Sequence, residues 1–170
     1  MNVMEQEQKQ EQERHLMHWI YVHRAIISLV WQIKSRKLVI TNIVAISRGG
    51  LIPATFLSHA LDVRTIQTIR VRSYDNHGRQ SEIGYQHSPT DFATIRDNPS
   101  NLIVDDIIDT GKTFEYLKQY FPNSQYCALV SKIPHTAMHA VIAPPSRWVV
   151  FPWEAPYTKE MNELREADEE

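Results

Sequence analysis

Leu102-Ile103-Val104-Asp105-Asp106-Ile107-Ile108-Asp109-Thr110-Gly111-Lys112-Thr113 decides how this chain is read. Three apolar residues lead into two adjacent carboxylates, and a third carboxylate follows at Asp109. A Thr-Gly-Lys-Thr turn comes next, and helical spacing begins near Phe114. In physical terms this is a buried strand, an acidic rim at its carboxyl end, and a turn opening a helix. Successive backbone N–H groups in such a turn form an anion-binding concavity. Gly111 permits close approach because it lacks a Cβ, while Thr110, Lys112 and Thr113 add hydroxyl donors and charge. Asp105 and Asp106 repel a bare phosphate but accept from sugar hydroxyls or hold Mg2+ through hard oxygens. A phosphorylated ribose satisfies both halves.

Gly-Lys-Thr also ends the phosphate loop of nucleotide triphosphatases. That loop needs a glycine five residues before its Gly-Lys pair. Asp106 stands at that position and Asp109 lies inside the would-be loop, so two carboxylates would face a triphosphate. The triphosphatase reading is rejected.

The run resembles the phosphoribosyl-diphosphate (PRPP) motif of the type I phosphoribosyltransferases. It is especially similar to that of the hypoxanthine-guanine enzymes, where Asp-Thr-Gly-Lys-Thr also occurs. The resemblance to the 6-oxopurine branch extends over residues 42–154. It implies an α/β fold, a mostly parallel twisted sheet flanked by helices with a small hood. It also implies transfer of phosphoribose from PRPP to guanine, xanthine or hypoxanthine, with release of pyrophosphate.

Working outward, strands are expected at 42–46, 63–72, 102–105, 125–131, 140–143 and 148–150, and helices at 51–61 and 114–121. Strands alternating with helices predict a parallel sheet, whose ligands bind beyond the carboxyl ends of the strands. Residues 73–100 are polar and too long for a passive connection, which predicts an active-site lid or small hood. Apolar residues at 16, 19, 20, 26, 27, 30 and 33 follow helical spacing. They predict an amphipathic helix over 16–33, packed on the domain or on a partner subunit. Residues 1–15 read as a polar extension, 16–156 as one phosphoribosyltransferase domain, and 157–170 as an acidic tail.

The 170 residues suffice for a self-standing core, and the net charge of −2 gives no electrostatic footprint for nucleic acid. Arg24 within the apolar helix disfavours a membrane span, and the Glu/Gln-rich segment before it is unlike a secretory signal. The single cysteine, Cys127, excludes an internal disulfide. It fits a reducing, cytoplasmic setting, as a buried structural thiol.

Ser47-Arg48-Gly49-Gly50 follows a strand and starts a helix. Its glycines allow the backbone near a bulky anion, and Arg48 supplies a bidentate cation. It resembles the pyrophosphate loop of the xanthine-guanine enzymes, which implies pyrophosphate contacts from Arg48 and Gly49 and a non-proline cis peptide before Arg48. Ser73-Tyr74 resembles the start of the family's mobile loop, on which Arg79 is a candidate pyrophosphate contact. Lys132, at the end of the 125–131 strand, can donate to a ring oxygen at purine position 6 and so disfavours adenine. The family carries a lysine there.

Trp148-Val149-Val150-Phe151-Pro152-Trp153-Glu154 is the second strong signal. Trp148 can stack on a flat base, a contact worth ~1–3 kcal/mol. The backbone of Val149 can read the ring edge, and Glu154 can accept from a 2-amino group or help hold a metal. The xanthine-guanine branch ends similarly, but with aspartate in place of Glu154 and an acid in place of Val150. His135 and His139 are four apart, but Thr136 stands where a zinc protease needs Glu, and Pro134 opposes a long helix.

By resemblance, Asp109 is the general base near purine N7, and Asp105, Asp106 and Asp109–Thr113 bind PRPP. Asp106 and Glu154 are the candidate Mg2+ ligands, and a homodimer or homotetramer is implied. The competing readings are a non-catalytic PRPP-sensing regulator and a phosphoribosyltransferase for another base. The orotate enzymes use a lysine on the mobile loop, and this chain has none between Lys37 and Lys112.

Overall fold

The computed structural model describes residues 14–74, 84–86 and 94–154. It falls into two compact units. One comprises Met1–Val22 with Ser146–Glu170, the other His23–Pro145.

The larger unit is built on a five-stranded sheet: β2 (Asn42–Ser47), β3 (Ile66–Arg70), β6 (Asn101–Ile108), β7 (Gln125–Ser131) and β8 (Met138–Ile142). Its strand order is β3-β2-β6-β7-β8, and every pairing is parallel. Parallel strands need crossovers. Helix α2 (Leu51–Leu61) joins β2 to β3, and α3 (Lys112–Lys118) lies between β6 and β7. Ile43, Val44, Ala45, Leu102, Ile103, Val104 and Cys127–Val130 are fully buried. Continuous apolar runs of this kind are what a sheet covered on both faces requires.

The central strand is longer than its apolar run. β6 continues through Asp105 and Asp106 to Ile108, because Asp105 pairs with Ala128, Ile107 with Val130 and Ile108 with Ser131. The acidic pair therefore lies within the ladder, and only Asp109 lies beyond it. The helix after it covers Lys112–Lys118 rather than 114–121, and β3 is shorter than 63–72.

Helix α1 covers Trp19–Ser35 rather than 16–33. It buries Val22, Ala25, Ile26, Leu29 and Ile33, while Ile27 and Trp31 stay exposed. Leu16 belongs instead to a short strand, β1 (Arg14–Leu16), which pairs in parallel with β9 (Trp148–Val150) in the smaller unit. The Met17 N–H extends this pairing to the Val150 carbonyl at 2.9 Å. β4 (Arg72–Tyr74) and β5 (Gly84–Gln86) form an antiparallel ladder within the segment for which a lid was expected. Residues 75–83, with Arg79, and 87–93 lie outside the described residues, as does the polar start through residue 13 and the tail from 155 onward.

Candidate active site

Strands β2 and β6 are neighbours in register, with Ala45 opposite Val104, so the loops leaving their carboxyl ends lie side by side. The first loop begins with a cis peptide between Ser47 and Arg48, the bond expected there. Gly50 then donates to Ile46 O at 2.8 Å, folding the loop back on its own strand. A Cβ on Gly50 would run into the carbonyls of Val104 and Ile46, and a Cβ on Gly49 would overlap the Asp106 carboxylate. Gly50 is thus required by close backbone packing on β2 and β6, and Gly49 leaves room for the Asp106 side chain. The Arg48 side chain is exposed above them.

Adjacent side chains of a strand point to opposite faces, and this divides the acidic pair. Asp106 is buried and lies against Gly49. Asp105 instead lines an open groove with Ile107, Ile108, Asp109, Thr110, Gly111, Thr113 and Phe114. The groove is open to solvent and has a cavity volume of about 180 Å3, more than the ~10–15 Å3 that one water needs on that measure.

Asp105 Oδ1 accepts from the Asp106 N–H at 3.0 Å. Although Asp105 as a residue is only half-buried, its carboxyl is hemmed in by protein. Desolvation first, and then the charge of Asp106, hold it well above the usual carboxylate range. Burial, together with the charge of Asp105, likewise pushes the Cys127 thiol up, so this cysteine is a core residue rather than a nucleophile.

The second loop, Asp109–Thr113, turns on Gly111, whose φ of 78° lies in the left-handed region that favours glycine. Asp109, Thr110 and Lys112 are exposed at its rim. Behind it, the Lys132 N–H donates to Ile108 O at 2.9 Å, continuing the β6–β7 ladder by one residue. The Lys132 ammonium is 3.0 Å from Asp109 Oδ1, with the lysine side chain 8% exposed and the aspartate 58%. A buried ammonium needs such a partner. The open side of Asp109 leaves the pair able to meet a third polar group.

Gly49, Asp105, Asp106, Asp109–Thr113 and Lys132 are thus gathered at one sheet edge, with Arg48 on the adjoining loop. Trp148, Val149 and Glu154 belong to the smaller unit. There Trp148 is 66% exposed and Val149 is buried. Glu154 Oε2 accepts from the Phe151 N–H at 3.2 Å, and the Trp153 ring stacks on Phe151 with centroids 4.7 Å apart. Among the described residues no three His, Cys, Asp or Glu side chains gather into a metal-ligand cluster. Sequence reasoning weighed His135 only as a metal ligand paired with His139, and it missed Ile133; the side chains of both cover the back of Gly111. Spacing gave no sign of that contact, because it runs between two loops.

The phosphoribosyl transferase domain family matches residues 17–155. The chain is 30% identical over 142 residues to a xanthine-guanine phosphoribosyltransferase of Cereibacter sphaeroides, covering 80% of this chain and 84% of that one. A protein of the same name from a Ruegeria species is 31% identical over 146 residues, covering 80% and 82%. Among solved structures, the xanthine-guanine-hypoxanthine phosphoribosyltransferase of Helicobacter pylori aligns with a TM-score of 0.68 at 25% identity, over 88% of this chain and 99% of that one. A purine phosphoribosyltransferase from Pyrococcus horikoshii aligns at 0.64 and 27%, over 84% and 94%. Two glycine-dependent loops beside a split acidic pair, on a parallel sheet shared with these proteins, lead to one assignment: the chain belongs to the phosphoribosyl transferase domain family.

Proposed function

We propose that this phosphoribosyltransferase serves purine salvage, moving phosphoribose from PRPP to a 6-oxopurine and releasing pyrophosphate. The observation that carries this reading is the Asp109–Lys132 ion pair beside the Gly111 turn. A carboxylate and an ammonium held side by side suit the two polar sites of a 6-oxopurine. Lys132 donates to O6 while Asp109 accepts the proton at N7. Adenine presents an amino group at position 6 and leaves the ammonium without an acceptor. The names of the curated relatives point to the same acceptor class.

In the reaction a bond forms from purine N9 to C1 of the ribose as the bond from C1 to the pyrophosphate oxygen breaks. The proton lost by the base passes to Asp109, which raises the nucleophilicity of N9. Asp105, which lines the groove, can accept from the ribose hydroxyls. Residues 110–113 hold the 5′-phosphate, supplying binding free energy remote from the reacting carbon. Arg48 and the Gly49 backbone receive the pyrophosphate, with Arg79 as a further candidate. Trp148 and Val149 are proposed to contact the base.

Mg2+ binds through one or two carboxylates together with substrate phosphates rather than in an all-protein cage. The hard oxygens of Asp106, beside the Arg48–Gly49 loop, suit that pattern in kind, with Glu154 as the second candidate ligand. When bound, the ion would neutralise charge on pyrophosphate.

Among the described residues no helix is long and apolar enough to cross a membrane, and the buried lone thiol is compatible with the cytoplasm. A homodimer or homotetramer is supported by Ile27 and Trp31, exposed on α1. Sedimentation velocity of a purely monomeric protein would remove that part. The function itself is tested by an absorbance assay with PRPP, Mg2+ and each purine in turn. Consumption of adenine alone overturns the Lys132 assignment. No turnover with any base would favour a PRPP-sensing regulator.

A further inference from the structure

His135 lies outside the groove, on the far side of the Gly111 turn. Its Cδ2 and Nε2 are 3.3 and 3.5 Å from the point a Gly111 Cβ would occupy, beside Ile133 Cδ1 at 3.2 Å. The ring also meets Phe114 edge-on, with centroids 5.8 Å apart, and Phe114 is a buried residue of the helix that the turn opens. Its orientation is locked from behind, since Nδ1 accepts from the Ala137 N–H at 3.0 Å. An accepting Nδ1 places the ring proton on Nε2, so the imidazole is neutral in this arrangement. Gly111 is the turn's left-handed residue, and backbone of that kind has no side chain of its own to fix it against its neighbours. The imidazole supplies the missing wall.

We infer that His135 is a positioning residue for the phosphate-binding turn, its neutral ring holding Gly111 so that the backbone donors of residues 110–113 converge on the sugar phosphate. The inference rests on the reading of that turn as the 5′-phosphate site. The charged and titratable groups facing the ring are Lys118 and Glu115 on α3 and His139 on β8. Desolvation first, then Lys118, lowers the affinity of His135 for a second proton, while Glu115 opposes the shift. Lys118 Nζ is itself bonded to Thr136 Oγ1 at 3.2 Å, and the His139 Nδ1–H donates to Ala137 O at 3.0 Å. Protonating His135 would set an N–H against the Ala137 N–H and release the ring from Gly111.

Two substitutions separate the wall from the lock. His135→Asn keeps an acceptor two residues before the Ala137 N–H, the arrangement of an Asx turn, but withdraws the ring from Gly111. His135→Phe keeps a ring and loses the acceptor. We expect His135→Asn to melt close to wild type while KM for PRPP rises ~5–10-fold with kcat within ~2-fold, the pattern of lost binding rather than lost chemistry. His135→Phe should lose more thermal stability and retain most of the PRPP affinity. As pH falls below about 6.5, the ordinary histidine value, the affinity advantage of wild type over His135→Asn should narrow. Ionisation of the substrate phosphate is common to both proteins and cancels in that comparison. A wild-type KM in His135→Asn, a fall in kcat at constant KM, or an advantage that widens in acid would each overturn the inference. Calorimetry of wild type with PRPP is run alongside, and absence of binding there would strike the phosphate reading itself, before any variant is considered.

Discussion

Replacing Gly49 with alanine tests the contact on which the loop after β2 rests. The φ of Gly49 lies outside the left-handed region, so the substitution costs little in backbone conformation. Its cost is steric. The added methyl would overlap the Asp106 carboxylate down to Cγ, one bond from that residue's own Cβ, so turning the outer oxygens is not enough. Asp106 must change rotamer in a setting where it is only 8% exposed, or the loop must lift from β6. Overpacking of this kind costs ~1–3 kcal/mol. With a urea slope of ~2 kcal/mol/M, the unfolding midpoint should fall by ~0.5–1.5 M. The decisive measurement is a double-mutant cycle in urea. Asp106→Ala removes the atoms in the way, so Gly49→Ala added to it should cost less than in wild type by ~1–3 kcal/mol. If the two substitutions add to within ~0.5 kcal/mol, the usual margin for independent sites, Gly49 does not abut Asp106 and the account of the loop is wrong.

Asp109→Asn should leave PRPP binding by calorimetry unchanged and lower kcat by ~100-fold or more, the scale of a lost general base; unchanged turnover would remove Asp109 from the proposed chemistry. Asp105 has a folded-state pKa raised by desolvation and by Asp106, so the folded protein binds more protons than the unfolded chain and loses stability as pH rises through that value. Asp105→Asn cannot ionise, while its side-chain oxygen can still accept from the Asp106 N–H. Its urea midpoint should therefore decline less than that of wild type between about pH 4 and pH 7.5, and parallel declines would contradict the assignment.

The order of elements was legible because the apolar runs 43–46, 102–104 and 126–130 are buried and carry no competing period. β7 was found at its full length for that reason. The end of β6 was not, because two carboxylates look like the close of a strand. They remain in the ladder because β7 runs on beside them, with Ala128 opposite Asp105 and Val130 opposite Ile107. The sequence reading also grouped Asp105 and Asp106 as one rim, although a strand necessarily sends neighbours to opposite faces. Strand β1 escaped notice since three residues hold no alternation to detect and its partner is at the other end of the chain. The loop chemistry around Gly49 and Gly111 could be read because it depends on missing side chains, and glycine is visible in a sequence. What stands behind Gly111 could not, since His135 gets there through the packing of separate loops.

Cys127 is the only thiol in the chain and lies fully buried on β7, in the middle of the parallel sheet. Alkylating reagents can reach it only when that sheet opens, so the rate of thiol labelling is an intrinsic clock of sub-global unfolding. Any variant at the surrounding loops can then be ranked for how well it keeps the scaffold closed, by mass spectrometry and without an introduced probe. Damage to the framework thereby becomes separable from damage confined to the ligand-binding rim.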